Sequence, residues 1–280
     1  MMSAQAASRS SNFARPAALR ALPAARSADP AAFVRALTAE ALAHRAVSHP
    51  YLAALAAGAL PDVRWALADF ARHYFAYSRH FPRYLTATIS KLEDPAHRAA
   101  LLDNLTEESG QYEPLELAEL RAVGIRPEWI VGLPHPALFQ RFAAAMGVDL
   151  AAHAPENEAD QVVIWRELFL DTLVHGSAAE AVGALGLGTE NIVSTIYLPF
   201  VKATRKIGLD SRDAVFFPLH TAVDDHHQAT LQAIAIDLAA TPEGRAGLRR
   251  GMLKALTLRT SYWDWMLARA QMPARADLVL

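Results

Sequence analysis

From Asp29 to the C-terminus, apolar positions recur at spacings of three and four, Ala and Leu dominate, and no sustained period-two run rich in Val, Ile and Thr appears. That spacing marks helices that bury one face, so the expected fold class is all-α. Asp29 followed by Pro30 reads as an N-cap with proline at the first helical position, opening a helix to about Ser48. A second helix is expected from Pro61, with Phe70, Tyr74, Tyr77 and Phe81 on one face as a core stripe. Asp94-Pro95 opens a third through about Gly110, and His135-Pro136 begins another, HPALFQRFAAAMG, closed by Gly147. The polar stretch His153 to Asp160 reads as a loop. Gln161 to Gly208 is helical in pattern, with Gly183, Gly186 and Gly188 allowing close packing or a local break. Ser211 to about Ala239 is expected as a helix bent in its first turn by Pro218, and Glu243 to Gln271 as the last. The pattern amounts to seven or eight helices without a repeat.

Composition narrows the function classes. The chain has 280 residues, 52% hydrophobic, and no interior composition break, so residues 29–280 are expected as one domain. Lys and Arg number 27 against 29 Asp and Glu, a net charge of −2, which argues against nucleic acid as a partner. The absence of cysteine excludes disulfides, thiolate metal sites, iron–sulfur clusters and cysteine nucleophiles. Any redox chemistry must then use nitrogen and oxygen ligands. Apolar stretches such as Val182 to Thr189 are far shorter than the roughly 20 residues that span a bilayer, so a soluble, cytoplasmic protein without a membrane partner is expected. Residues 1–28, rich in Ala, Ser and Arg and without an acid, read as a disordered tail, although the composition also resembles an organelle transit peptide.

The chemistry concentrates in His220-Thr-Ala-Val-Asp224-Asp-His-His227. At about 100° per residue, Asp224 lies about 40° from His220 and His227 about 20° to the other side, so the three share a helical stripe. A carboxylate between two imidazoles offers several ligands to one metal, and the mixed donors suit iron. Burying one Asp and two His without a cation would be costly. Further acids for a bridged metal pair stand in Asn104-Leu-Thr-Glu-Glu108-Ser-Gly110 and in Gly188-Thr-Glu190-Asn-Ile-Val, where Glu190 sits in apolar surroundings. Acids are rarely buried there unless paired or metal-bound.

A Glu before x-Gly at a helix end, then His-Pro-x-Leu-Phe, then Gly-Thr-Glu, then His-x3-Asp-x2-His about thirty residues later, together resemble the heme-oxygenase-like diiron oxidases and oxygenases, the iron-containing redox enzyme family. The resemblance spans residues from about 60 to 235. It implies a heme-oxygenase-like bundle in which Glu108, His135, Glu190, His220, Asp224 and His227 hold two iron ions. Glu107 is the rival for the first position; Glu108 is preferred because Ser109-Gly110 follows it. One departure stands out: Glu108 and His135 are separated by 27 positions, far more than in the family. The intervening segment, near 111–134, reads as an inserted excursion punctuated by Pro114, Pro127 and Pro134.

On the resemblance, O2 is a co-substrate and a small organic molecule is oxidised: an amine, amino acid or fatty acid, by N-oxygenation or oxidative C–C cleavage, in natural-product biosynthesis. An external electron donor and a homodimer are further expectations. Tyr197, seven residues after Glu190 and on its face, is the candidate catalytic side chain. Arg166, Lys202 and Arg205 are candidates to pair with a substrate carboxylate. The alternatives are a hydrolase using the same ligands with zinc or manganese, and a heme-binding or metal-free helical protein. Ferritin-like Glu-x-x-His pairs do not occur in the chain.

Overall fold

The computed structural model describes residues 29–151, 157–222 and 224–272, the side chains of 224–227 excepted. The expected tail 1–28 and residues 153–156 of the expected loop lie outside the described residues. The chain runs as helices α1 (Pro30–Leu42), α2 (Pro50–Ala57), α3 (Val63–Ser78), α4 (Phe81–Ile89), α5 (Pro95–Glu108), α6 (Pro114–Ala122), α7 (His135–Ala145), α8 (Asp160–His175) and α9 (Ala178–Val182). A π-helical segment, Gly183–Glu190, leads directly into α10 (Asn191–Lys206), followed by α11 (Phe216–Ala222), α12 (Asp224–Leu238) and α13 (Pro242–Gln271). Among the described residues there is no strand, and no helix is long and apolar enough to cross a membrane.

Helix starts follow from side-chain capping. Asp29 accepts from the amides of Ala31 and Ala32 at 3.0 and 3.2 Å, Asp94 from Ala96 at 2.7 Å, and Asp62 from Trp65 at 2.9 Å. The helices are more numerous than the pattern implied, because caps and prolines divide what periodicity alone joins. α1 ends at Leu42, and α2 starts afresh behind His49, whose Nδ1 accepts from the Tyr51 amide while Nε2 reaches Asp264 at 3.0 Å. The aromatic stripe is likewise split, with Phe70, Tyr74 and Tyr77 on α3 and Phe81 opening α4. The segment expected to be helical from Ser211 starts only at Phe216, since Asp210 first ties down a turn through the amides of Arg212 and Ala214.

The core is built of rings. Tyr77 stacks on Trp165 at 3.8 Å, Phe70 meets Phe200 at 4.3 Å, and Phe200 stacks on Phe217, joining α3, α8, α10 and α11. Each such ring contributes about 1.5–3 kcal/mol by burial. α13 packs along α9 and the π segment. That approach needs glycine: a Cβ on Gly188 would sit 2.7 Å from the Ala255 Cβ and 2.8 Å from the Met252 carbonyl oxygen.

Candidate metal centre

The first acid and the first histidine of the motif meet because the segment between them closes on itself. Past Glu108 the chain turns through Gly110 at φ 84°, where a Cβ would lie 2.5 Å from the Leu133 carbonyl oxygen. The Gly110 carbonyl accepts from the Gly132 amide at 2.9 Å, so the excursion leaves and returns at one point. Inside it, α6 carries a capping box between Glu113 and Glu116, and Leu120, Ile125 and Ile130 are buried. Arg141 of α7 donates to the Trp129 carbonyl at 2.9 Å. His135 therefore stands at the start of α7 beside the end of α5, despite the long separation in sequence.

Glu108, His135 and His220 each offer a ligand atom, all within 4.8 Å of one another. Glu108 and His135 are buried, and His220 is half-buried. The His135 Nδ1 lies 2.9 Å from Glu108 Oε1 but out of line for a hydrogen bond, and this buried nitrogen has no hydrogen-bond partner. Its other nitrogen, Nε2, is 3.1 Å from the Tyr112 hydroxyl. At His220, Nδ1 lies 2.6 Å from the Phe216 carbonyl oxygen, which only accepts, so Nδ1 carries the proton and Nε2 is the basic nitrogen. The two imidazoles stand 4.7 Å apart, edge to face. Tyr112 is held protonated by burial first and by the charge of Glu108 second.

Glu190 ends the π segment, is buried, and lines the same cavity as the three clustered residues. Local π geometry is frequent at functional sites, because it turns one side chain out of the helical register. Tyr197 also lines the cavity, with its ring 5.5 Å from His220 and its hydroxyl 2.7 Å from that of Tyr74. Burial, then Tyr74, pushes its ionisation far above the ordinary tyrosine range. Asp224 and His227 belong to α12, but their side chains lie outside the described residues. Gln228, next after His227, donates to Asn191, next after Glu190. Glu107 is half-buried and not part of the cluster.

Two residues that periodicity did not single out bear on the site, Tyr112 in the excursion and the fully buried Arg259 of α13, while Tyr74 of the expected core stripe stands behind Tyr197. The excursion's one tyrosine near a motif histidine was the available signal for the first. The carboxylate-pairing candidates fare differently: Arg166 is engaged by Glu158 and Glu167, and Lys202 and Arg205 are exposed.

A family model described as iron-containing redox enzyme matches residues 68–260. The chain belongs to that family. Within reach of it, the chain is 27% identical over 237 residues to a 4-chloro-allylglycine synthase of Streptantibioticus cattleyicolor, covering 83% of this chain and 81% of that protein. It is 29% identical over 138 residues to a 4-aminobenzoate synthase of Chlamydia muridarum, covering 48% of this chain and about half, 49%, of that relative. A domain of unknown function from Shewanella denitrificans, described as having a heme oxygenase-like fold, superposes with a TM-score of 0.62 at 14% identity, over 85% of this chain and 90% of the other. This family member therefore has the heme oxygenase-like fold that the motifs implied.

Proposed function

We propose that this chain is an O2-activating, non-heme oxidoreductase that holds two iron ions with Glu108, His135, Glu190, His220, Asp224 and His227. The observation that carries the reading is the buried Nδ1 of His135, which makes no aligned hydrogen bond, faces Glu108 at 2.9 Å and lies within ligand distance of His220. An imidazole nitrogen buried without a hydrogen bond is costly unless a cation takes its lone pair. The donor set fits iron: imidazole and carboxylate without thiolate. The tie between Gln228 and Asn191 supports the remaining ligands, because it fastens the α12 turn carrying His227 to the residue after Glu190. When bound, the irons supply the electrons that O2 activation requires.

The chain's own residues set the conditions for that chemistry. With a metal on Nδ1, His135 would carry its proton on Nε2 and donate it to Tyr112; with Nδ1–H donated to the Phe216 carbonyl, His220 presents Nε2. Tyr74, Tyr77 and Phe216 wall the cavity with rings and keep bulk water from the reacting centre. Tyr197 is proposed as the hydroxyl that orients substrate beside His220. The substrate is a small organic amine, amino acid or fatty acid, oxidised by N-oxygenation or C–C cleavage in a biosynthetic pathway. Likeness to 4-chloro-allylglycine synthase over most of both chains supports an amino-acid-like substrate.

Anaerobic loading with Fe(II), elemental analysis, and exposure to O2 under rapid-mixing absorbance test the reading. About two irons per chain, as a two-metal site requires, together with O2 consumption and a transient visible band, are expected. His220→Ala and Asp224→Ala should each abolish the band. Uptake of zinc with hydrolytic turnover, or an iron content indifferent to both substitutions, sinks it.

A further inference from the structure

Arg259 is 1% exposed, and its Nη1 has no hydrogen-bond partner. Its guanidinium carbon lies 5.7 Å from the Tyr77 ring and 5.1 Å from the Trp165 ring. Among the described residues, no carboxylate lies within 4.0 Å of it. The acid on the facing stretch of α3, Asp69, is taken by Arg269 through contacts of 2.7 and 2.8 Å. Burial works against the charge, while the oxygens of Tyr74, Tyr77 and Tyr197 outweigh it, the Tyr74 hydroxyl also accepting a hydrogen bond from the guanidinium, and an arginine does not deprotonate in a protein. A buried cation without a counter-charge is among the most expensive features a core can carry. Ring faces recover only a part of that cost.

The tyrosines around Arg259 are cavity residues. Tyr74, Tyr77 and Tyr197 all line the cavity that holds Glu108, His135 and His220, so the guanidinium stands directly behind its wall. The Tyr77 hydroxyl is buried with no aligned hydrogen-bond partner, and neighbouring Thr189 donates its own proton to the Ala184 carbonyl at 3.0 Å. Ser78, the next residue along α3, presents a second buried hydroxyl without a partner to the same cavity. Glu190 is the acid on this wall, and its charge is felt at Tyr77.

We infer that Arg259, acting through the Tyr77 and Ser78 hydroxyls, forms an anion-recognising end of the cavity that takes the carboxylate of a small substrate. The inference rests on the proposed function, in which the charge of Glu190 is committed to metal and Arg259 is left to be balanced by substrate. Two unpartnered hydroxyl donors in front of a fixed positive charge recognise a carboxylate and disfavour an ammonium group. Arg259 is a recognition residue: it selects and orients the substrate from behind Tyr77.

The test titrates hexanoate, hexanamide and hexylamine into the full chain, its Arg259→Gln variant and its Tyr77→Phe variant. Tryptophan fluorescence, sensitive through Trp165 stacked on Tyr77, and calorimetry report binding. Iron content is measured in parallel on each protein. Hexanoate should bind saturably and hexanamide about tenfold or more weakly, the scale of one charge-assisted hydrogen bond. Hexylamine should bind more weakly still. Both variants should lose the preference for hexanoate over hexanamide with iron content unchanged. Should Arg259→Gln not fold, Tyr77→Phe and the three probes on the unaltered chain decide the matter. Equal binding of hexylamine and hexanoate, a preference that survives Tyr77→Phe, or no binding by any probe overturns the inference. A preference for hexanoate in a chain that binds no iron would instead sink the two-iron reading and leave the anion site standing.

Discussion

The two sides of the cavity position their chemistry by different means. Glu108 and His135 come from α5 and α7, joined by an excursion pinched shut at Gly110 and Gly132, and His135 is held by a side chain, the Tyr112 hydroxyl. Glu190, Tyr197 and His220 come from the π segment, α10 and α11, and His220 is held by a backbone carbonyl four residues earlier on its own helix. One side is organised by a loop closure that any of a few residues can undo. The other is organised by packing and by main-chain geometry that side-chain substitution barely reaches. Sensitivity to mutation should therefore differ across the cavity in a way that stability and iron binding can separate.

The largest effect is expected at the pinch. Gly110→Ala forces a side chain into the left-handed region and onto the backbone of Leu133. Strain and clash together should cost about 3 kcal/mol, seen as a lowered midpoint in chemical denaturation. Iron loading should fall with it, because His135 no longer returns beside Glu108. The matching change across the cavity, Gly188→Ala, meets Ala255 and Met252 in a helix packing contact without a positive φ, and should cost about 1–2 kcal/mol. Equal costs, or full iron loading in Gly110→Ala, would break the comparison.

A smaller and more selective contrast lies in what holds each imidazole. Tyr112→Phe removes the hydroxyl at His135 Nε2 and should weaken iron binding by about tenfold while changing stability by about 1 kcal/mol or less. Phe216→Leu trims a ring 4.3 Å from His220 but keeps the carbonyl that receives its Nδ1–H. It should cost about 1 kcal/mol of stability and leave iron affinity within about twofold. Metal titration against urea denaturation on the two variants checks whether the effects cross in this way.

The same asymmetry explains what the sequence made legible. All-α class, the capped starts at Asp29 and Asp94, and the burial of Glu190 follow from local patterns, so periodicity and residue type were enough to see them. The nearness of Glu108 to His135 is a tertiary fact: it depends on Gly110 and Gly132 meeting across the excursion, and nothing in the spacing of the motif reports it. Division of the helices at His49, at Phe81 and before Phe216 depends on capping and turn hydrogen bonds that periodicity does not register. Arg259 was invisible for a related reason. An arginine in a helix reads as a solvated charge, and only the packing of α13 against Tyr77 and Trp165 puts it inside.

The effect expected to be smallest at neutral pH belongs to neither side but to the corner between α3 and α4, where Ser78 and Phe81 close the cavity. His80 sits at that corner with Arg79 Nε 3.3 Å from its Nε2 and Arg83 Nη1 3.4 Å from its Nδ1. Burial first, then the charges of Arg79 and Arg166, lower its pKa from 6.5 to about 4. The folded chain thus keeps His80 neutral where the unfolded chain takes up a proton. Stability from this group is fully present above about pH 6.5 and is lost as the pH falls toward about 4. His80→Gln, which cannot titrate, should flatten the decline of the melting temperature across that window while leaving the value at pH 8 nearly unchanged. A decline of undiminished slope in the variant would place the acid sensitivity elsewhere, and would leave the corner as rigid with pH as the two sides it joins.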